Sequence, residues 1–184
     1  ANCNGACDGT STVTASGGAG GFTYTWSPLP GSGQGTATAG GLCAGNYSVT
    51  VTDVNGCSVV LNTTINEPSA IDATNVSSSD VSCNGDSDGT LTVIPNGGNG
   101  PYTYQWVDCF SGTPVPGLTN QTETNVAPGD YFAQVTDANG CVESSPCTTV
   151  NEPAPLDATF TVTNINCSGD CSGSITATPS GGNL

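Results

Sequence analysis

One pattern occurs twice in this chain, as Asn46 to Cys57 (NYSVTVTDVNGC) and as Asp130 to Cys141 (DYFAQVTDANGC), and it fixes the kind of fold available. Tyr47, Val49 and Val51 alternate with Ser48, Thr50 and Thr52, so an extended chain places the apolar set on one face and hydroxyls on the other. Asn55-Gly56 and Asn139-Gly140 then supply the pair that best tolerates positive φ in a tight hairpin turn, and a cysteine opens the return strand. Each repeat is expected to be organised around a strand pair closed by a cysteine.

The repetition extends far beyond this unit. Cys3, Gly17, Gly18, Tyr24 and Trp26 map onto Cys83, Gly97, Gly98, Tyr104 and Trp106 at a constant offset of 80. Tyr47, Asp53, Gly56 and Cys57 map onto Tyr131, Asp137, Gly140 and Cys141 at 84, so the second copy carries four more residues after Trp106. A third copy opens with Leu156-Asp157-Ala158-Thr159, matching Ile71-Asp72-Ala73-Thr74. Its Cys167, Gly173, Gly181 and Gly182 repeat Cys83, Gly89, Gly97 and Gly98.

Within a copy the pattern predicts short strands separated by Gly, Pro and Asn turns. Expected strands are Thr10 to Ala15 and its counterpart Thr90 to Ile94, the aromatic strands FTYTW and YTYQW, the Tyr47 and Tyr131 strands, and Ser58 to Ile65. On the last of these, Val59, Leu61, Thr63 and Ile65 are expected to share one face. Tyr24, Trp26, Tyr47, Tyr104, Trp106 and Tyr131 are the expected core aromatics. Asn66-Glu67-Pro68 and Asn151-Glu152-Pro153 punctuate the joins, where proline ends strand pairing and stiffens a linker. The expected domains are residues 1–68 (lacking a first strand), 69–153, and 154–184, the opening strands of a third.

Composition narrows function. Against 15 Asp plus Glu there is no Lys, Arg or His. Nucleophile–imidazole pairs, imidazole zinc ligands and Schiff-base amines are excluded, and nothing is present to neutralise nucleic-acid phosphates. Asp8 and Asp88, or Asp53 and Asp137, recur once per copy, so no acid pair within a copy is marked for glycoside hydrolysis, and no enzyme is expected. Ten cysteines with 26 Gly and 12 Pro describe a loop-rich, disulfide-bearing β protein of an oxidising, extracellular compartment. No apolar run approaches the roughly 20 residues of a membrane helix.

The order CNGxCxG, then GG with an aromatic pair and Trp (GGFTYTW, GGNGPYTYQW), then GLCAGNYSVTVTDVNGC and NEP resembles the SprB repeat. The resemblance covers both full copies and the opening of the third. It implies tandem Ig-like β-sandwiches in a long surface adhesin of the kind that gliding bacteria export by type IX secretion, with no catalytic residues to carry over. The second copy departs from the pattern where Ser87 and Ala127 replace Cys7 and Cys43.

That joint replacement predicts a Cys7–Cys43 bond. Cys3 and Cys57 recur together as Cys83 and Cys141, which predicts Cys3–Cys57 and Cys83–Cys141. Cys109 and Cys147, peculiar to the second copy, are expected to pair, leaving Cys167 and Cys171 without partners in the third. No catalytic, cofactor or metal residues are assigned. Asp86-Ser87-Asp88-Gly89 resembles the start of a calcium loop, but Pro95 to Gly98 lies where the bidentate glutamate belongs, so a polar turn is the reading, with Ca2+ the one cofactor left open. Asp53 and Asp137 are read as caps of their own turns rather than cation ligands. Expected partners are neighbouring repeats and, in a second reading, a surface polysaccharide stacked on exposed aromatics. Because the first copy opens at Cys3 without the strand that precedes Cys83, and the third stops before its aromatic strand, either further repeats on both sides or strand exchange between chains is expected.

Overall fold

The computed structural model describes residues 1–169 and 171–182. Among these the chain is all β, with no helix. The strands are β1 (Gly9–Thr12), β2 (Thr23–Ser27), β3 (Thr38–Leu42), β4 (Gly45–Thr52), β5 (Ser58–Ile65), β6 (Val76–Ser79), β7 (Gly89–Val93), β8 (Thr103–Asp108), β9 (Thr122–Val126), β10 (Gly129–Thr136), β11 (Val142–Ser144), β12 (Thr148–Val150), β13 (Asp157–Thr163) and β14 (Ser174–Ser180).

Two compact units form, and they cut across the sequence repeats. The first joins residues 1–72 with 95–102 and 136–143, and the second holds 73–94, 103–135 and 144–184. In the first, β1 pairs with β3, while β2, β4 and β5 form an antiparallel sheet in that order. Trp26 faces Val49 and Tyr24 faces Val51 across the β2–β4 ladder, so the alternating side chains meet as cross-strand pairs. Trp26, Ala39, Leu42, Val49 and Val51 make the buried core, flanked by Phe22, Tyr24, Tyr47 and Ile65.

In the second unit, β7 lies between β6 and β9, and β10 pairs with β8 and β12. Leu91, Val93, Trp106, Val126, Val135 and Val150 are almost fully buried. Gly89 explains why the β7 segment starts with glycine: a Cβ there would lie 2.6 Å from a Val150 methyl and 2.9 Å from the Val126 carbonyl. Gly9 has the same crowding, 2.8 Å from both Ile65 and the Leu42 carbonyl, and both positions carry a bulge against the partner strand. The counterpart of β5 is split into β11 and β12, because Pro146 has no N–H to give the ladder. Ser145 covers the gap: its backbone N–H donates to the Ala133 carbonyl at 2.8 Å and its hydroxyl accepts the Ala133 N–H at 2.8 Å.

Of the β5 face made by Val59, Leu61, Thr63 and Ile65, the first two are 54 % and 43 % exposed and the last two half-buried. Their partner layer is incomplete, since β1 pairs with β3 alone whereas its counterpart β7 has β6 on its other edge. In the third copy β13 and β14 form a hairpin, register Asp157 to Ser180, in which every residue is exposed.

Candidate functional site

Each Asn-Gly turn is built around its aspartate. Asp53 Oδ1 accepts the N–H of Asn55 and of Cys57, both at 2.9 Å, and Oδ2 accepts the Ala19 N–H at 3.1 Å. Asp137 repeats this with Asn139 and Cys141 at 2.9 Å each, and with Asn99 at 2.9 Å. The aspartates are therefore turn caps that also tie the turn to the Gly-Gly loop. That second tie requires glycine: Gly18 and Gly98 have φ of 58° and 62°, and a Cβ on either would stand 2.9 Å from the carboxylate Oδ2.

These bonds set the acidity of the carboxyls. The Ala19 N–H is the strongest influence on Asp53; burial opposes it, the N–H groups of Cys57, Asn55 and Gly56 add to it, and the pKa falls below the ordinary value. For Asp137 burial is the largest single influence and pushes upward, but the N–H groups of Asn99, Cys141, Asn139 and Gly140 together outweigh it. In the calcium-like stretch the Ser82 hydroxyl, and then its N–H at 2.8 Å from Oδ1, hold Asp88 below its usual pKa. Asp88 thus caps a local turn.

The disulfides depart from expectation in one systematic way. Cys7 is bonded to Cys43 and Cys109 to Cys147. Cys3 is bonded to Cys141, not to Cys57, and the expected Cys83–Cys141 bond is absent too; Cys57 and Cys83 are exposed thiols, as are Cys167 and Cys171. Recurrence of two cysteines in both full copies is satisfied equally by pairing within a copy and by pairing with the next one. Geometry favours the latter. The Cys3-Asn4-Gly5 loop is held on the following linker, with Asn4 Nδ2 donating to the Pro68 carbonyl at 3.1 Å and the Gly5 N–H to Glu67 Oε2 at 2.6 Å. The linker delivers the loop to the second copy's turn, where Asn139 Nδ2 donates to the Asn2 carbonyl at 2.7 Å. The Asn-Glu-Pro linkers and the CNGxC motif stand out in the sequence, but the bonds between them do not; these recur in the next copy, where Asn84 donates to Pro153 at 3.0 Å and Gly85 to Glu152 at 3.1 Å.

The aromatic positions divide. Trp26 (2 % exposed), Trp106 (0 %) and Tyr131 (8 %) are buried, and Tyr24, Tyr47 and Tyr104 are half-buried. The Trp26 indole N–H donates to the Thr36 carbonyl at 3.0 Å and that of Trp106 to the Asn120 carbonyl at 3.1 Å, so each ring anchors the variable loop that follows it. Gln34 clamps the first loop, exchanging bonds with the Trp26 backbone at 2.9 and 3.3 Å. Gln105 and the buried Glu123 do so in the second: Gln105 Nε2 donates to the Trp106 and Val115 carbonyls at 2.8 and 3.0 Å, and Glu123 Oε1 accepts the Asn120 N–H at 2.5 Å. No spacing or periodicity distinguishes these three residues from other polar positions. Burial and the Asp108 and Asp130 charges raise the Tyr131 pKa, and its hydroxyl donates to Ala127 at 3.0 Å.

The family model described as SprB repeat matches residues 1–31, 75–108 and 159–184. The chain belongs to the SprB-repeat family. Each matched segment of these SprB repeats holds the loop at Cys3, Cys83 or Cys167, and the first two also hold the tryptophan strand. The Asn-Gly-Cys turns and the Asn-Glu-Pro linkers, which complete the joint, lie outside the matched segments. Among curated proteins none matches the chain.

Proposed function

We propose that this chain is a non-catalytic stalk segment of a large bacterial surface adhesin-like protein, in which tandem Ig-like sandwiches joined by Asn-Glu-Pro linkers hold a binding surface away from the cell. The SprB resemblance supports an extracellular setting, export by type IX secretion and a part in adhesion or gliding. The observation that carries the reading is the burial of Trp26 and Trp106, whose rings serve the core and the loop anchors rather than a ligand face. In the native bacterium, exchange of this segment for an equal number of other SprB repeats is expected to leave surface adhesion intact, while deletion shortens the projecting filament in electron micrographs. Loss of adhesion on exchange would sink the stalk reading.

One observation favours a second reading, in which the segment itself contacts a surface polysaccharide. Phe110 is 98 % exposed on a loop pinned by the Cys109–Cys147 bond. Asp108 Oδ1 stiffens that loop further by accepting the N–H groups of Phe110 and Ser111 at 3.0 and 2.7 Å. An aromatic face presented rigidly suits stacking on a sugar ring. Polysaccharide binding lost in Phe110→Ala, with an unchanged melting temperature, would favour this reading over the stalk.

A further inference from the structure

In the first unit the Cys3 joint encloses a cavity of about 240 Å³, lined by Asn4, Pro68, Ile71 and Gly98 and closed on one side by the turn of Asp137 and Cys141. The second unit repeats this seat around Cys83 without the turn. Asn84 and Gly85 bond the next linker through the same atoms as Asn4 and Gly5. The Gly182 N–H donates to the Ala154 carbonyl at 2.8 Å as the Gly98 N–H donates to Ser69 at 2.9 Å. The resulting cavity is lined by Cys83, Asn84, Pro153, Leu156 and Gly182 and measures about 470 Å³, larger than the other and without the lining that Asp137 and Cys141 give there. A cysteine loop, a linker and a Gly-Gly loop are thus already assembled in the geometry that holds a disulfide partner one repeat earlier.

The complementary half is present as well. The turn from Asp53 to Cys57 carries the same aspartate bonds at the same 2.9 Å as the turn from Asp137 to Cys141, and Cys57 is an exposed thiol. We infer that Cys83 is the receiving thiol of an inter-repeat disulfide, and that its partner is the cysteine of an Asp-x-Asn-Gly-Cys turn belonging to another repeat of this kind. Cys57 is the offering thiol of the equivalent bond toward a Cys-Asn-Gly loop. Each bond forms by oxidation of two thiols: two electrons and two protons pass to a small-molecule or protein disulfide, which is reduced to two thiols as the sulfurs join. Successive repeats are then stapled in series, and the staple holds whether the array is a passive stalk or a glycan binder.

The test is alkylation of the native protein without reduction, followed by digestion with a Glu- or Asp-directed protease, since trypsin has no site here, and mass spectrometry of linked peptides. The expected result is Cys83 joined to a peptide containing Asn-Gly-Cys, with Cys3–Cys141 as the internal reference. Electrophoresis with and without reductant separates the two sources: a fall in apparent mass on reduction places the turn on a second chain, and an unchanged mass places it elsewhere on the same chain. Cys83 alkylated in the unreduced protein, or bonded to Cys141, overturns the proposal. So does a Cys57–Cys83 peptide with no fall in mass, because that bond would join a turn to the loop of the copy after it, the reverse of the order in Cys3–Cys141, where the loop precedes the turn by one copy.

Discussion

A single carboxylate, that of Asp137, holds three backbone N–H groups, two from its own turn and one from Asn99, 38 residues before it. Only the ionised form accepts all of them, and its pKa is lowered on folding. The sign follows: a carboxyl whose folded pKa lies below its unfolded value of about 3.9 contributes stability that is complete above that value and is lost as pH falls through the folded pKa. Asp53 contributes in the same sense. Urea unfolding followed from pH 7 to pH 2 is expected to show falling stability below about pH 4. In Asp137→Asn the amide nitrogen cannot accept the Asn99 N–H, so this variant should be weaker at pH 7 and converge on the wild type in acid; a gap independent of pH would refute the mechanism. Packing gives two further outcomes by the same measurement. Trp106→Ala should cost about 3–5 kcal/mol, and Gly89→Ala, driven into Val150 and the Val126 carbonyl, about 1–3 kcal/mol. The capping role of the aspartates was legible because it is local. Their reach to Ala19 and Asn99 was not, because nothing in a sequence pairs residues 34 or 38 apart until the strands between them are registered.

Strands announce themselves here through alternation, which is why β4, β5 and β10 fall where the pattern puts them, while Pro146 breaks β11 from β12 through chemistry that alternation does not report. Pairing between copies is less legible. The cysteines recur in register, yet recurrence alone does not say whether Cys3 closes on its own copy or the next, and the deciding bonds come from Glu67 and Asn4 in loops without periodicity. The exposure of Val59 and Leu61 is no more legible, since it depends on a layer that, among the described residues, has one strand more in the second unit than in the first. In the second unit that strand is β6, paired to β7 from Val76 with Val93 to Ser79 with Thr90, and fastened by the Ser78 hydroxyl to the Thr149 carbonyl at 2.7 Å. On β1 the corresponding edge, Thr10 to Val13, borders a cavity of about 330 Å³ lined by Val13, Ala15, Phe22, Val59 and Leu61. A peptide of residues 71–82 added to the full chain is expected to pair along β1 by strand addition and slow hydrogen exchange at the Thr10 and Thr12 amides, which point away from β3. The same peptide with Pro at Ser77, which faces Thr92 in the hydrogen-bonding register of β6 on β7, lacks a donor for the ladder and should give no protection; equal protection by both would rule out strand addition.

At the scale of the whole molecule the governing fact is charge of one sign. Fifteen carboxylates face no Lys, Arg or His, a formal net charge of −15 at pH 7, so no side-chain ion pair offsets their mutual repulsion. The folded chain concentrates these charges relative to the unfolded one, and repulsion therefore opposes folding. Screening reduces that opposition: the Debye length shortens from about 30 Å at 0.01 M salt to about 8 Å at 0.15 M, so carboxylates on different loops cease to interact while local turn caps are untouched. The melting temperature is expected to rise with sodium chloride over this range, with an unchanged far-ultraviolet circular dichroism spectrum. Calcium at matched ionic strength should do at least as well by pairing with carboxylates two at a time. Among the described residues no three acidic or cysteine side chains converge as ligands, so the calcium effect should be graded over millimolar concentrations rather than saturating at one equivalent. Saturation at one equivalent would reveal a specific site, and a flat or falling melting temperature in both salts would show that repulsion among the carboxylates does not limit the stability of this fold.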